Sequence, residues 1–405
     1  MSKSLSLTDK KNSKTQILRT LHTHGSMPRI ALTRMTGLSR ATISACIAEL
    51  IEANYVSEAE KQAATVGRPA VMLELVPHSH AIIGADLNNQ TWTLGAFDLI
   101  GNVIHSTTFP SGGSSPEACI AALVRELHPF VSALTTTTVI PLIGLGLPGL
   151  IDNERGLIQS AADLNWFHVP IKELIDRELG WPSAILNRHR ARGLAECRYG
   201  AGKEFRHMIY IGIGTGIAAG LFQDRKLIHG AIGGSGEAGH MTIEPQGDLC
   251  PCGNRGCLQV YAAGPAMEIE ARKAIRQGEA SSLPGIAGNL QLIKAEDICS
   301  EADKGDALSL RIVSRAAEYM GISLANLVNL FNPEVIIMGG SIPMASHRYI
   351  EIATAVMKQR AMGSLAEVTR ITRAVFSEFG GAMGAAHFAL DLHLSYPLLT
   401  QSQDA

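Results

Sequence analysis

The sequence lacks long hydrophobic runs, a secretory signal and the paired cysteines of a disulfide framework. No apolar stretch approaches the roughly 20 residues that a helix needs to cross a bilayer. The first residues, "MSKSLSLTDKKNSKTQ", contain no apolar segment of the kind that directs secretion. Four of the seven cysteines are scattered singly along the chain, which favours a reducing compartment. We therefore expect a cytoplasmic protein without membrane insertion.

The chain also lacks a strong net charge, but its charges are unevenly distributed. The formal net charge is −2, yet residues 1–70 contain ten basic and five acidic residues, and the rest contains 25 basic and 32 acidic. With 46% hydrophobic residues in 405, the chain is long and apolar enough for two or three globular domains. A basic segment on an acidic body indicates a nucleic-acid partner for that segment alone, unless the clustering is accidental.

The basic segment contains three stretches with the apolar spacing of helices. The first, "KTQILRTLHTHG", ends at Gly25. For the second, Ser26 is the predicted N-cap and Gly37 the predicted end; the third begins after Ser39, which can cap it. Two helices joined by a tight glycine-containing turn are typical of a helix-turn-helix. A structural three-helix bundle without DNA is the alternative.

The third predicted helix resembles a recognition helix in its first turn. That turn carries small or hydrogen-bonding side chains, which suit contacts with base edges and phosphates. The predicted DNA-contacting residues of the three helices are Arg29, Ser39, Arg40, Thr42 and Ser44.

A predicted wing follows the helices. The stretch "YVSEAEKQAATVGRPAVMLELVP" has the pattern of two short strands around a polar tip. An extended Gly-Arg-Pro step at its end could place Arg68 in an A·T-rich minor groove, or it could be a plain interdomain linker. We predict that residues 1–80 form a winged helix-turn-helix domain that binds double-stranded DNA.

From about residue 80 the sequence alternates between strands and helices, which predicts an α/β body. Three apolar strands end in glycine-rich turns: "GLGLPGLID", "GIGTG" and "VIIMGGS". One such turn is weak evidence, but three in one body are typical of a nucleotide-binding or sugar-binding cleft.

A cysteine cluster in the body has the residues of a metal site. His240, Cys250, Cys252 and Cys257 form a Cys3His set, the ligand count of a closed tetrahedral zinc site. Closed coordination leaves no water to activate, which disfavours a catalytic zinc. The ligand pairs of a DNA-binding finger are also missing. Unliganded thiols, or a redox or metal sensor, remain alternatives.

The order of motifs resembles the ROK family of repressors and sugar kinases. The resemblance rests on "GLGLPGLID", "NRHRARGLAE", "GIGTGIAAGLF", "GEAGHMTI" and "CPCGNRGCLQ" after a helix-turn-helix, and its layout is closest to repressors of the NagC, Mlc and xylose-repressor type. It implies an actin-like, RNase H-like body of two lobes and one structural Zn²⁺ at the four positions above. The first lobe would span 81–194 plus 381–405, and the second 195–380 with the zinc site and an oligomerisation surface.

Two departures from the family pattern predict that the body is not an enzyme. ROK kinases use the Asp of an Asn-Asp pair as the general base; here Asn187 is followed by Arg188, and a guanidinium cannot act as a base. The kinases also have Asp-x-Gly-Gly-Thr at the phosphate site, where this chain has side chains at Asn88, Asn89 and Gln90. The alternative is an ATP-dependent sugar kinase with an appended DNA-binding domain.

The family's sugar-contacting positions are partly retained. Glu237 and His240 match, Gln259 replaces a Glu, and Asp163 replaces an Asn. With Asn187 and Arg188 these residues are the predicted ligand-binding set.

Arg188 raises a further question about the ligand. Its guanidinium could hold the phosphate of a sugar phosphate or the carboxylate of a sugar acid. Alternatively, it could form a salt bridge with Asp163 or Glu237 in a cleft that no longer catalyses a reaction.

The resemblance as a whole implies a sugar-responsive transcriptional repressor of carbohydrate metabolism. We expect it to bind its operator as a homodimer, or as a tetramer built from two dimers. A regulator controlled by a sugar-transport protein instead of a sugar is the second alternative.

Overall fold

The computed structural model describes residues 7–59, 71–88, 90–376 and 379–395. Within these ranges the helices are too short or too polar for any of them to cross a bilayer.

The N-terminal module is a winged helix-turn-helix. A three-stranded sheet of order β1-β3-β2 packs against three helices. The bounds are α1 Leu7–His24, β1 Met27–Pro28, α2 Arg29–Thr36, α3 Arg40–Glu52, β2 Val56–Ala59 and β3 Met72–Leu75.

The end of α2 and the start of α3 both follow from the residues found there. Gly37 ends α2 in the left-handed conformation (φ 70°), and the Ser39 hydroxyl caps α3 by accepting from the amide of Thr42 at 3.1 Å. The predicted Ser26 cap is wrong, because Met27 and Pro28 pair with β3 and α2 begins only at Arg29.

The first lobe is built on a five-stranded sheet of order β6-β5-β4-β7-β11. Strands β4, β5 and β6 are antiparallel, while β7 and β11 run parallel to β4. A second, three-stranded sheet of β8, β9 and β10 covers one end of the cleft, which the sequence pattern did not predict. The bounds are β4 His80–Asn88, β5 Thr91–Asp98, β6 Val103–Pro110, α4 Pro116–Ser132, β7 Thr138–Leu147, β8 Leu150–Asp152, β9 Leu157–Ala161, β10 Trp166–Val169, α5 Ile171–Leu179, β11 Ser183–Asn187 and α6 Arg188–Tyr199.

The second lobe repeats the strand order of the first. Its sheet has the order β14-β13-β12-β15-β16, again three antiparallel strands followed by two parallel ones. The bounds are β12 Met208–Ile213, β13 Ile217–Gln223, β14 Lys226–Leu227, α7 Gln259–Ala262, α8 Gly264–Arg276, α9 Leu283–Ala287, α10 Ala295–Asp303, α11 Ala307–Phe331, β15 Val335–Gly339, α12 Ser341–Ala345, α13 His347–Arg360, α14 Gly363–Val368 and β16 Arg370–Arg373. Two lobes with one strand order confirm the predicted actin-like architecture.

The last helix, α15 (Gly380–Ser395), returns to the first lobe and packs across its sheet. A side chain at Gly84 of β4 would collide with the Ala382 carbonyl of α15, and one at Gly384 would collide with the Ala191 carbonyl of α6. Helix α6 therefore lies directly against α15. On its other side, Leu194 belongs to one buried cluster with Tyr210 of the second lobe.

The winged helix shares a core with the first lobe. Ile17 and Leu21 of α1 belong to the same buried cluster as Ile82, Phe97 and Leu390 of the body. The module is thus docked on the body by apolar packing that the two parts share.

Candidate functional site: a cleft, a metal cluster and a DNA-binding surface

A cavity of about 450 Å³ opens between the two lobes. Its walls come from the turn after β7, the β9–β10 region, the start of α6, and the loop that precedes α7. All six residues predicted to contact a ligand line it: Asp163, Asn187, Arg188, Glu237, His240 and Gln259. The volume suits a small molecule of monosaccharide size.

Asn187 uses its side chain to build the start of α6. Its Oδ1 accepts from the amides of His189 (2.9 Å) and Arg190 (3.3 Å), and its Nδ2 donates to the Gly149 carbonyl (2.9 Å). Asn187 therefore holds the cavity wall in shape and presents the next residue, Arg188, to the cleft.

Arg188 is 5% exposed and joins the two lobes. Its guanidinium donates to Asn88 Oδ1 (2.8 Å) at the end of β4, and to Thr215 Oγ1 (3.3 Å) in the glycine turn between β12 and β13. Thr215 in turn donates to the Asp163 carboxylate (3.2 Å), so Arg188 also reaches Asp163 through this hydroxyl. Burial and the neighbouring Arg192 lower the pKa of Arg188, but an arginine starts so high that it stays protonated at neutral pH.

The aspartate that opens the first lobe is neutralised. Asp86 forms an ion pair of 2.7 Å with Arg192 one turn along α6, and both side chains are largely buried. Breaking such a pair would leave an uncompensated buried charge, so it fixes α6 to β4.

Glu237 and Gln259 face the cavity from the second lobe. Burial raises the pKa of the Glu237 carboxyl, and the charge of Arg190 opposes this rise. The Gln259 Nε2 donates to the Cys250 sulfur at 3.4 Å. Carboxylate and amide groups of this kind suit recognition of hydroxyls, because each offers hydrogen bonds in fixed directions.

The four predicted metal ligands form one cluster. Their ligand atoms all lie within 4.8 Å of one another. The Cys252 and Cys257 sulfurs are 3.8 Å apart, and Cys250 Sγ lies 3.7 Å from His240 Nδ1. Tetrahedral zinc with bonds of roughly 2.0–2.3 Å places its ligand atoms about 3.5–3.8 Å apart, so the cluster fits this ion.

The metal cluster and the cavity share a wall. Pro251 and Cys252 line the cavity, and His240 belongs to both sites. Folding of the loop around a metal would therefore fix one side of the cleft.

Five of the six predicted DNA-contacting residues lie on or next to the helices α2 and α3 of the module. Ser39, Arg40 and Ser44 are exposed, and Thr42 is half-buried. Arg29 forms an ion pair of 2.9 Å with Glu58 of β2, which ties the start of α2 to the wing. The predicted minor-groove residue, Arg68, lies outside the described residues.

Several residues of the cleft were not singled out from the sequence, among them Thr215 and Phe167. Thr215 lies in the recognised glycine turn, but its contacts with Arg188 and Asp163 depend on how the two lobes meet. Phe167 is 57% exposed and lines the cavity. Its place directly after Trp166 in "LNWFHV" was the available signal.

Comparison with known proteins separates the chain into the same two parts. A model of winged helix-turn-helix DNA-binding domains matches residues 12–57, and the model of the ROK family matches residues 82–392.

The similar proteins include both regulators and kinases. The chain is 30% identical to a xylose repressor of Caldicellulosiruptor bescii, over 96% of this chain and 98% of that one. It superposes with a TM-score of 0.80 on a ROK family transcriptional regulator, a homologue of the E. coli MLC protein (28% identity, covering 95% and 98% of the two chains). A ROK family glucokinase from Streptomyces griseus, in complex with glucose and AMPPNP, gives a TM-score of 0.68 at 26% identity. It is covered over 99% of its length but only 76% of this chain. Because its family model spans most of the sequence and a similar repressor aligns over nearly its whole length, this chain belongs to the ROK family.

Proposed function

We propose that this chain is a transcriptional repressor of carbohydrate metabolism that binds DNA through its winged helix and a sugar in its interlobe cleft. One observation carries the proposal: a kinase-type cleft, docked to a winged helix, has Arg188 at the position of the general base. In the cytoplasm such a protein would release or bind its operator as the sugar shifts the preferred arrangement of the two parts. DNase footprinting of the region upstream of its own gene, with D-xylose, D-glucose or N-acetylglucosamine added, tests this.

We propose further that the cleft does not transfer phosphate. The Arg188 guanidinium lies between Asn88, at the end of β4 in the first lobe, and Thr215, in the glycine turn of the second. Asn88 belongs to the stretch that replaces the kinases' phosphate-site motif. A fixed cation takes the place of a base, and Asn88 puts a side chain where the kinases have glycine. Incubation with ATP and the same sugars should yield no ADP above the rate without sugar. Sugar-dependent ADP formation would favour the kinase alternative.

The effector could carry an anion or be neutral. Arg188 is the group in the cavity that suits a sugar phosphate or a sugar acid, while Asp163 and Glu237 favour a neutral sugar with many hydroxyls. Titration calorimetry with glucose and glucose 6-phosphate, and with xylose and xylonate, would separate the two classes. Equal affinity within each pair would exclude a role of Arg188 in anion binding.

For the metal cluster we propose one structural Zn²⁺ per chain, held by His240, Cys250, Cys252 and Cys257. When bound, the ion crosslinks a loop that has little regular structure of its own. His240 and the neighbouring Glu237 would then be held against the cavity. Four protein ligands leave no open position, so the ion would have no catalytic task.

We propose the domain limits 1–80, 81–194 with 381–405, and 195–380, although the limit at 194 falls inside α6. A homodimer is the expected assembly, and light scattering after size exclusion would separate a dimer from a tetramer.

If a sugar-transport protein controls the repressor instead of a sugar, the DNase footprinting experiment should give a different result. No sugar of the panel would then change DNA binding, while lysate from cells that are transporting sugar would.

A further inference from the structure

Helix α6 extends from the sensing cleft to the DNA-binding module. Its first residue, Arg188, lines the cavity, and its last residues, Arg198 and Tyr199, contact groups at the joint with α1. Twelve residues at about 1.5 Å each span roughly 18 Å. One continuous helix therefore has one end at each functional site.

At the cleft end, α6 responds to the position of the second lobe. Arg188 donates to Asn88 within the first lobe and to Thr215 on the second. A ligand that moves the lobes relative to each other, or that competes for Thr215 or Asp163, must change the contacts of Arg188. The first turn of α6 carries Arg188 and so is affected directly.

At the module end, α6 holds a buried histidine of α1. The His22 side chain is 2% exposed; its Nε2 faces the Arg198 guanidinium, and its Nδ1 lies 2.8 Å from the Leu99 carbonyl. A guanidinium can only donate, so Nε2 must be the acceptor, and Nδ1 carries the hydrogen that goes to Leu99. Arg198 also donates to Asp391 of α15. His22 thus connects α1 to two parts of the body at once.

Between its ends, α6 is packed too tightly to absorb a displacement. Gly384 of α15 lies against the Ala191 carbonyl, and Gly193 lies against Tyr210 and Phe222 of the second lobe. Tyr199 is bonded to His387 of α15 through a hydrogen bond of 2.9 Å. Close-packed helices move as rigid bodies, so a shift at one end is passed to the other.

We propose that α6 transmits the state of the cleft to the DNA-binding module, with Arg188 and His22 as the positioning residues at its two ends. The idea rests on the proposed function in one respect, that the cleft is the sensing site. The linkage itself is a property of the unliganded chain. It can be tested without a sugar or an operator, so its failure would leave sugar binding and DNA binding untouched.

The test perturbs the cleft end and observes the module by hydrogen–deuterium exchange of the full-length protein. Arg188→Ala removes the bonds to Asn88 and Thr215. Asn88→Ala removes one acceptor, leaves Arg188 in place, and serves if Arg188→Ala does not fold. We expect either variant to raise exchange roughly two- to tenfold in residues 187–199 and also in residues 13–24 of α1.

A matched pair of substitutions at His22 tests whether the coupling between α6 and α1 passes through Arg198. In His22→Gln the longer amide can still present an oxygen to Arg198; in His22→Asn the side chain reaches towards Leu99 but is too short to meet Arg198. When Arg188→Ala is combined with His22→Gln, exchange in residues 13–24 should still rise. When Arg188→Ala is combined with His22→Asn, exchange in residues 13–24 should not rise.

Two results would overturn the proposal. The first is unchanged exchange in residues 13–24 when Arg188→Ala and Asn88→Ala both loosen residues 187–199. The second is equal transmission in the His22→Gln and His22→Asn backgrounds, because the signal would then bypass Arg198.

Discussion

The side-chain amide of Gln259 donates a hydrogen bond of 3.4 Å to the sulfur of Cys250. The same amide lines the interlobe cavity, and its Oε1 is the atom nearest to where a side chain at Gly216 would lie. Held as a thiolate by the proposed zinc, Cys250 could only accept, so the amide nitrogen would point to the sulfur and the oxygen to the cleft. Gln259 therefore connects the metal cluster to the sensing cavity.

Replacing Gln259 by Leu should weaken zinc binding by roughly ten- to a hundredfold. Leucine has no hydrogen to donate to the Cys250 sulfur. Competition with a chromophoric chelator measures the affinity. Gln291→Leu makes the same chemical change at an exposed position of the second lobe and should leave zinc affinity unchanged. Equal zinc affinity in both variants would show that the bond to Cys250 has no influence on the metal.

Removing a metal ligand should unfold the loop and open one wall of the cleft. Cys252→Ser is expected to reduce the zinc content well below one ion per chain and to lower the Tm by roughly 5 °C or more. Elemental analysis and thermal unfolding measure the two effects. Cys299→Ala, at a buried thiol of α10 outside the cluster, can cost stability but should retain the zinc. Full zinc occupancy in Cys252→Ser would contradict the four-ligand assignment.

Arg40 should contribute to DNA affinity through a phosphate. It is exposed at the first position of α3. Arg40→Ala should weaken binding of a duplex from upstream of the gene by roughly tenfold and reduce the slope of log K against log salt by about 0.9. Arg276→Ala, an exposed arginine of the second lobe, is the control for lost charge. Identical salt slopes for the wild type and Arg40→Ala would exclude a phosphate contact there.

Docking of the winged helix should weaken in acid. Burial lowers the pKa of His22 from 6.5 to about 4, with Arg198 adding to the effect and Asp391 and the Leu99 carbonyl opposing it. A base with a lowered pKa takes up its proton more readily when undocked. The docked state is therefore fully stable above pH 6.5 and loses stability as the pH falls towards 4.

The measurement for this prediction is the Tm between pH 7.5 and 5. Between pH 7.5 and pH 5 the Tm of the wild type should fall further than the Tm of His22→Gln, because glutamine has no group that titrates at this position. His387, which stacks on His22 at 5.2 Å and whose pKa is also lowered by burial, is present in both proteins. Parallel curves for the two proteins would contradict the assignment to His22.

The sequence predicted local elements well because caps and glycine turns act over a few residues. Gly37 and the Ser39 cap are of this kind, and the motif of His240 and the cysteines was recognisable from spacing alone. The Ser26 cap failed because a strand pairing with β3, more than forty residues away in the chain, overrides a local preference.

The contacts of the cleft could not be predicted in the same way. Arg188 was recognised as a departure from the kinases, but its bonds to Asn88 and Thr215 depend on how the two lobes meet. The position of His22 against Arg198 likewise depends on docking between domains, and neither residue has a neighbour in sequence that reveals the other.

Fluorescence anisotropy of a labelled duplex from upstream of the gene tests the central claim most directly. The protein is titrated alone and with xylose, glucose or N-acetylglucosamine, in the wild type and in Glu237→Gln. We predict that one sugar shifts the DNA affinity of the wild type by roughly five- to 150-fold and that Glu237→Gln needs more sugar for the same shift. DNA binding that is unaffected by every sugar, together with sugar-dependent ADP formation, would contradict the account.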